Sequence, residues 1–161
     1  VGYSDYDFKF AKTILRQHFP HLMDEIEAAI NELPSKLKAQ GISLGRGFRP
    51  TPAQVLENLL AQKEWQRQQP VTPDHAHLRF DLKKEKVAVE IQLSDPADCY
   101  NDLLKFLLAY NLGVIEVAVE IVYDDSVKGN NLPHLSKVRR DLEVYRRIIP
   151  CPIWVIGLKP D

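Results

Sequence analysis

Three polar residues near the middle of the chain have the types and spacing for metal-assisted chemistry. Asp81, Glu90 and Gln92 lie within the segment 79–95, whose alternation reads as a β-hairpin. A first strand ends near Asp81, a charged turn spans Lys83 to Lys86, and a second strand runs from Val87 to Leu93. Side chains on a strand alternate faces with a period of two. Val87, Val89, Ile91 and Leu93 therefore share one face, while Ala88, Glu90 and Gln92 share the other. Asp81, on the neighbouring strand, is close enough to join Glu90. Two carboxylates on rigid strands offer the hard oxygen ligands that a divalent cation requires. A solvated strand face would show the same three residues without any chemistry. A site is favoured because Glu90 and Gln92 interrupt an apolar run on a strand expected to be central, where exposed charge is not the default.

Other candidates are weaker. His75 and His77 can sit together near Asp81, but two histidines at this spacing are more often surface residues. Cys99 lies in an apolar helical pattern with no partner base and reads as core. Residues 35–50 hold three of the seven glycines and four basic residues with no acid. They read as a mobile cationic loop, and Arg46 and Arg49 are its candidates for phosphate contact. The chain has no glycine-rich nucleotide fingerprint, no nucleophile elbow and no zinc-type Cys/His spacing.

The elements that must position the hairpin follow from periodicity. Residues 5–17 predict a short helix capped by Ser4, and a second helix runs from Pro20 to Leu33, ended by Pro34. Thr51 and Pro52 open a third helix, with Val55, Leu56, Leu59 and Leu60 as its buried face, fading over Gln62 to Gln68. The first strand of the hairpin is expected over His77–Leu82. A helix from Pro96 to Leu112, stopped by Gly113, leads into the Val- and Ile-rich strand 114–123. That order predicts a βαβ crossover parallel to the second hairpin strand. A polar loop 124–131, a helix over 133–147 and a strand over 153–158 complete an α/β fold. Its central mixed sheet is flanked by helices.

Composition sets the outer limits. A chain of 161 residues is expected to form one domain over 1–161 with its own core. Its two cysteines, Cys99 and Cys151, suggest free thiols in a reducing compartment and a cytoplasmic location. No apolar run is long enough to span a membrane. A net charge of −1 gives no overall attraction to nucleic acid, so DNA binding would need locally clustered charge.

The hairpin resembles the active-site motif of the PD-(D/E)xK nucleases, in the variant with glutamine in place of lysine. That variant belongs to the type II restriction endonucleases of the BglII/BamHI group. Val89-Glu90-Ile91-Gln92-Leu93-Ser94 carries the likeness most closely. It extends to the helical patterning of Phe10–Ala39, with Met23-Asp24-Glu25-Ile26-Glu27 and Leu33-Pro34 before Lys36 and Lys38. Trp65 with the Pro70 and Pro73 pair, and the terminal run Pro152–Leu158, continue it.

The resemblance implies a restriction-endonuclease-like fold that cleaves double-stranded DNA as a homodimer on a palindromic site, one related to GATC. Asp81 and Glu90 would bind Mg²⁺, with Mn²⁺ as a substitute. Gln92 would stand where most of the superfamily has lysine. Because glutamine is no base, activation of the attacking water would fall to the metal and the substrate phosphate. Gln69 is the nearest match to a further polar active-site residue before the first strand, with Gln68 and Glu64 behind it. Ser94 and Asp95 would approach bases, and Asp95 departs from the family's asparagine. Asn130 and Asn131 would form a second recognition segment, with Lys128 as a phosphate contact. The helices 97–111 and 133–147 are candidates for the dimer interface. Related enzymes continue past the end of this chain, so contacts from a C-terminal extension are expected to be missing. Two other readings are a nuclease-fold DNA-binding protein that does not cleave, and a small α/β protein-interaction module in which Glu90 and Gln92 are incidental.

Overall fold

The computed structural model describes residues 2–45 and 50–160. Its framework is one mixed six-stranded sheet. The chain forms β1 (Tyr3–Phe8), α1 (Ala11–His18), α2 (Pro20–Ala39), α3 (Pro52–Ala61), β2 (Gln66–Pro70) and β3 (Arg79–Lys84). It continues with β4 (Val87–Ile91), α4 (Asp98–Asn111), β5 (Val117–Tyr123), α5 (Leu135–Val144) and β6 (Ile153–Leu158). Spatial order across the sheet is β1-β6-β5-β4-β3-β2. β4, β5 and β6 are parallel neighbours, and β1, β2 and β3 are added antiparallel at the two sides.

The parallel strands are buried along their whole length, as continuous Val/Ile runs require when helices cover both faces. One face packs Val87, Val89, Ile91 and Leu93 against α1, α2 and α3. The other packs Ala88, Ala118, Ile153 and Val155 against α4 and α5. The expected mixed sheet, the face assignment along β4 and the βαβ crossover through α4 are all present. So is the start of α3: Thr51 Oγ1 accepts from the Gln54 N–H, and the Gln54 side chain accepts from the Thr51 N–H.

Several expectations are corrected. Residues 5–17 are not one helix. Tyr3–Phe8 pairs antiparallel with β6, from Tyr3 opposite Leu158 to Phe8 opposite Ile153. The open edge of β6 recruits this polar segment, and the Ser4 hydroxyl donates to Asp124 instead of capping a helix. Lys9 and Phe10, both at positive φ, then turn the chain into α1. Asp7 Oδ1 accepts from the Lys12 N–H at 3.0 Å and serves its first turn.

Pro34 does not end α2, which continues to Ala39. Ile30, Leu33 and Leu37 hold a single buried stripe across the proline, and this packing outweighs the one backbone bond lost at the Ile30 carbonyl. Residues 35–39 are thus helix and not loop.

The run Gln66–Pro70 is a strand, β2, where a fading helix was expected. It has almost no apolar residue to announce itself and exists through its pairing with β3. Finally, two elements are shorter or shifted: the first hairpin strand is Arg79–Lys84 where His77–Leu82 was expected, and the last helix is Leu135–Val144.

Candidate active site

The hairpin strands β3 and β4 pair from Lys84 opposite Val87 to Leu82 opposite Val89, and then part. One position further, the same register sets Asp81 against Glu90. Asp81 replaces the lost ladder bond with its side chain: Oδ2 accepts from the Ile91 N–H at 2.8 Å. Leu82 packs with the α1–α3 layer and Phe80, two residues earlier, with the α4 layer, so β3 turns over at Asp81. On its other side, the register with β2 sets Gln68 against Asp81. Glu90 is paired in register with Glu120 of β5. Four adjacent strands therefore carry one polar row: Gln68, Asp81, Glu90, Glu120.

Glu90 is buried, and helix α4 covers it. Its Oε1 lies 2.5 Å from Lys105 Nζ, an ion pair whose geometry does not direct a hydrogen bond at that oxygen. Lys105 also meets Asp102 Oδ1 at 3.0 Å and donates to the Arg79 carbonyl at 3.1 Å. Burial, then the charges of Asp102 and Asp81, raises the Glu90 carboxyl, against the opposing pull of Lys105. Burial likewise raises Asp102, although Lys105 opposes it. Burial alone would lower the Lys105 ammonium, but Glu90 and Asp102 outweigh that and raise it. Glu120 has no solvent exposure, and neither carboxyl oxygen finds a donor. Burial first, then Asp102, holds it protonated well above the usual carboxylate range. On the open side of Asp81, burial and then the charge of Asp81 itself raise Glu57 of α3.

Gln92 follows β4 directly. Its Nε2 donates to Asp102 Oδ2 at 3.2 Å, while its Oε1 accepts from Ser94 Oγ at 2.9 Å and from the Asp95 N–H at 3.3 Å. The amide thus ties the end of β4 to α4 and to the turn that starts it. Gln69 lies opposite Phe80, and its Nε2 donates to the Arg67 carbonyl. Gln68, not Gln69, shares an open cavity of about 750 Å³ with Asp81, Lys105 and His77. His75 turns away to Thr72, 3.0 Å from its hydroxyl.

The recognition candidates gather at the C-terminal ends of β4 and β5. A cleft of about 400 Å³ is lined by Gly45, Thr51, Ile91, Ser94, Tyr123 and Leu132. Tyr123 Oη accepts from the Gly45 N–H at 3.2 Å and anchors the loop before α3 to the strand ends. Ser94 and Asp95 are exposed beside this cleft, and Lys128, Asn130 and Asn131 are exposed on the loop after β5. Arg46 and Arg49 lie outside the described residues.

Among the described residues, no group of three or more His, Cys, Asp or Glu side chains is arranged to enclose a metal ion. The arrangement at Asp81 and Glu90 is instead a two-carboxylate platform. It suits a hard cation that keeps waters and takes its other ligands from a phosphate. Glu90 Oε1, buried without a directed donor and already facing a cationic group, fits such an ion.

Sequence reasoning passed over Asp102, Lys105 and Glu120. A signal for the last was present: the pentapeptide Val-Ala-Val-Glu-Ile occurs twice, at 87–91 and 117–121. In-register parallel pairing of the two copies sets their glutamates side by side. Asp102 and Lys105 stand one turn apart on the covered face of an apolar helix, where charges need a partner.

The site thus sits on a hairpin that splays at its carboxylates and is followed by a parallel βαβ unit. The family model described as restriction endonuclease BglII/BglIII matches residues 3–158, and the chain belongs to that family of DNA-cleaving enzymes. Among solved structures, restriction endonuclease BglII complexed with a DNA 16-mer is similar with a TM-score of 0.79 and 18% identity, covering 100% of this chain and 78% of that one. Free BglII is similar with a TM-score of 0.70 and 21% identity, covering 100% and 81%. A search of curated protein sequences finds no match.

Proposed function

We propose that this protein hydrolyses double-stranded DNA at a specific sequence with Mg²⁺ held by Asp81 and Glu90. The observation that carries this reading is the pair of carboxylates at the parting of β3 and β4, with Glu90 Oε1 buried and lacking a directed donor. A bound cation there supplies charge to the phosphate and acidifies the attacking water. The protein's own groups do the rest. Asp81 is fixed by the Ile91 N–H, so its carboxylate faces the open cavity without searching. Gln92 moves no proton; it holds Asp102 and the Ser94–Asp95 turn in place. Gln68, which lines the cavity with Asp81, suits the role for which Gln69 was the first candidate.

Sequence reading falls to the far side of the strand ends. Ser94 and Asp95 are placed to meet base edges, Asn130 and Asn131 suit paired contacts with adenine, and Lys128, Arg46 and Arg49 suit phosphates. A palindrome related to GATC is the expected site, and a palindrome calls for two-fold symmetry. The surface offered to a second copy lies on α4 and the turn after α5, where Leu104 and Ile148 are 62% and 65% exposed. Together with Tyr100 and Tyr145 they border an apolar groove that fits a homodimer interface.

Digestion of a sequenced plasmid with Mg²⁺, Mn²⁺ or EDTA, followed by mapping of the ends, tests this reading. Expected are discrete fragments with Mg²⁺ and with Mn²⁺, ends at one recurring palindrome, and no cutting in EDTA. DNA bound at low salt but uncut with either metal would reassign the protein as a non-cleaving DNA binder.

A further inference from the structure

The cation inside this site comes from a helix, not from the strand. Gln92, at the strand position that resembles the superfamily's lysine, is neutral and fully engaged with Asp102, Ser94 and Asp95. Lys105 reaches over from α4 instead. Its ammonium lies 2.5 Å from Glu90 Oε1 and 3.0 Å from Asp102 Oδ1, and it donates a hydrogen bond to the Arg79 carbonyl at 3.1 Å. The side chain keeps 17% exposure, and it lines the same open cavity as Asp81 and Gln68. Arg79 lines it too, but its guanidinium is committed to the Ala76 and Gln68 carbonyls.

The ammonium and a metal ion compete for one oxygen. A cation bound to Glu90 Oε1 at the ~2 Å typical of Mg²⁺ would lie against Nζ, and the two positive charges repel. Release of Glu90 by Lys105 therefore favours the ion. Asp102, one turn back on the same helix, can keep hold of Lys105 while it swings toward the open cavity, where a phosphate bound between Asp81 and Glu90 would lie.

We propose that Lys105 is a substrate-contacting residue of the cleavage reaction: it neutralises Glu90 in the free protein and transfers to the scissile phosphate when DNA binds, freeing Glu90 for the cation. Lys105 supplies charge only and exchanges no proton. DNA and metal then bind cooperatively, because each removes the ammonium from the other's path, and the coupling is reciprocal. This inference rests on the reading of Asp81 and Glu90 as the metal platform.

The test compares wild type with Lys105→Met and Lys105→Gln. Titration of Mn²⁺ into each protein without DNA should show binding about tenfold tighter in K105M, since the competitor is gone. Binding of a mixed-sequence duplex in EDTA should lose about 0.9 from the slope of log K against log salt, the signature of one phosphate contact. Plasmid cleavage by K105M should fall ~100-fold, in the range for loss of one charge-stabilising group. A K105M protein that folds with unchanged Mn²⁺ affinity and unchanged salt slope would overturn the proposal and leave Lys105 a structural ion pair. If K105M does not fold, K105Q decides. Its amide carries no charge to compete for Glu90, so tighter Mn²⁺ binding supports the proposal and unchanged binding overturns it. Failure of the underlying reading shows separately, as equal Mn²⁺ binding by wild type and Asp81→Ala.

Discussion

Replacing Glu120 by glutamine should stabilise this protein, and by a margin that widens as pH rises. Glu120 is fully buried, both carboxyl oxygens lack donors, and it sits in register beside Glu90 with Asp102 close by. Burial holds its proton in the folded state well above 4.5, the ordinary glutamate value. The unfolded chain releases that proton above 4.5, so the native state binds one proton more across the neutral range. Stability contributed by such a group is fully present at acid pH and declines as pH rises, by about 1.4 kcal/mol per unit. Glutamine has nearly the same shape and no proton to lose. Between pH 5.5 and 7.5 the stability gap between E120Q and wild type should therefore grow by up to about 3 kcal/mol. Urea unfolding of both proteins in EDTA at pH 5.5, 6.5 and 7.5 measures this through the midpoint and slope at each pH. A gap that stays constant over the range would show that Glu120 ionises in the fold as it does in the open chain. The picture of a buried protonated acid beneath the site would then be wrong.

Pro34→Ala returns an N–H to the Ile30 carbonyl inside α2. Part of the gain is offset by a freer unfolded chain, so a net stabilisation of about 2 kcal/mol is expected, read as a rise in melting temperature. Leu104→Glu combined with Ile148→Glu places charge in the exposed apolar groove of α4 and the turn after α5. Sedimentation should show a dimer for wild type and a monomer for this variant, with the melting profile of the protomer preserved. Burial pushes the thiols of Cys99 and Cys151 up to about 12. Neither should react with iodoacetamide at pH 8 in the native protein, and both should react in urea; mass spectrometry distinguishes the two.

The strands β4, β5 and β6 were legible because apolar runs bounded by turn residues are what a doubly covered parallel sheet demands. The faces of β4 followed from period two alone, and the parallel relation of β5 to β4 from the strand–helix–strand order of a βαβ crossover. β1 and β2 were not legible for the opposite reason. Tyr3–Phe8 and Gln66–Pro70 are edge strands with mixed or wholly polar sequences, and only their partners make them strands. Pro34 misled because a local penalty was weighed without the buried stripe that continues past it. In the site, Asp81 and Glu90 were visible as residues on two strands of one hairpin. Lys105 was not, since its contact with Glu90 comes from how α4 lies across the sheet, which no spacing within the helix encodes. The choice between Gln68 and Gln69 was likewise a matter of which one the β2–β3 register sets against Asp81.

The central claim is that Asp81 and Glu90 hold the cation that makes this fold a nuclease. Its most direct measurement is the rate of plasmid cleavage by Asp81→Ala and Glu90→Ala under saturating Mg²⁺, with duplex binding in EDTA followed in parallel. Each variant should lose at least about 10³-fold in cleavage, the scale for removal of a group that positions transition-state charge, while still binding DNA. Cleavage by either variant at the wild-type rate would contradict the assignment of the site.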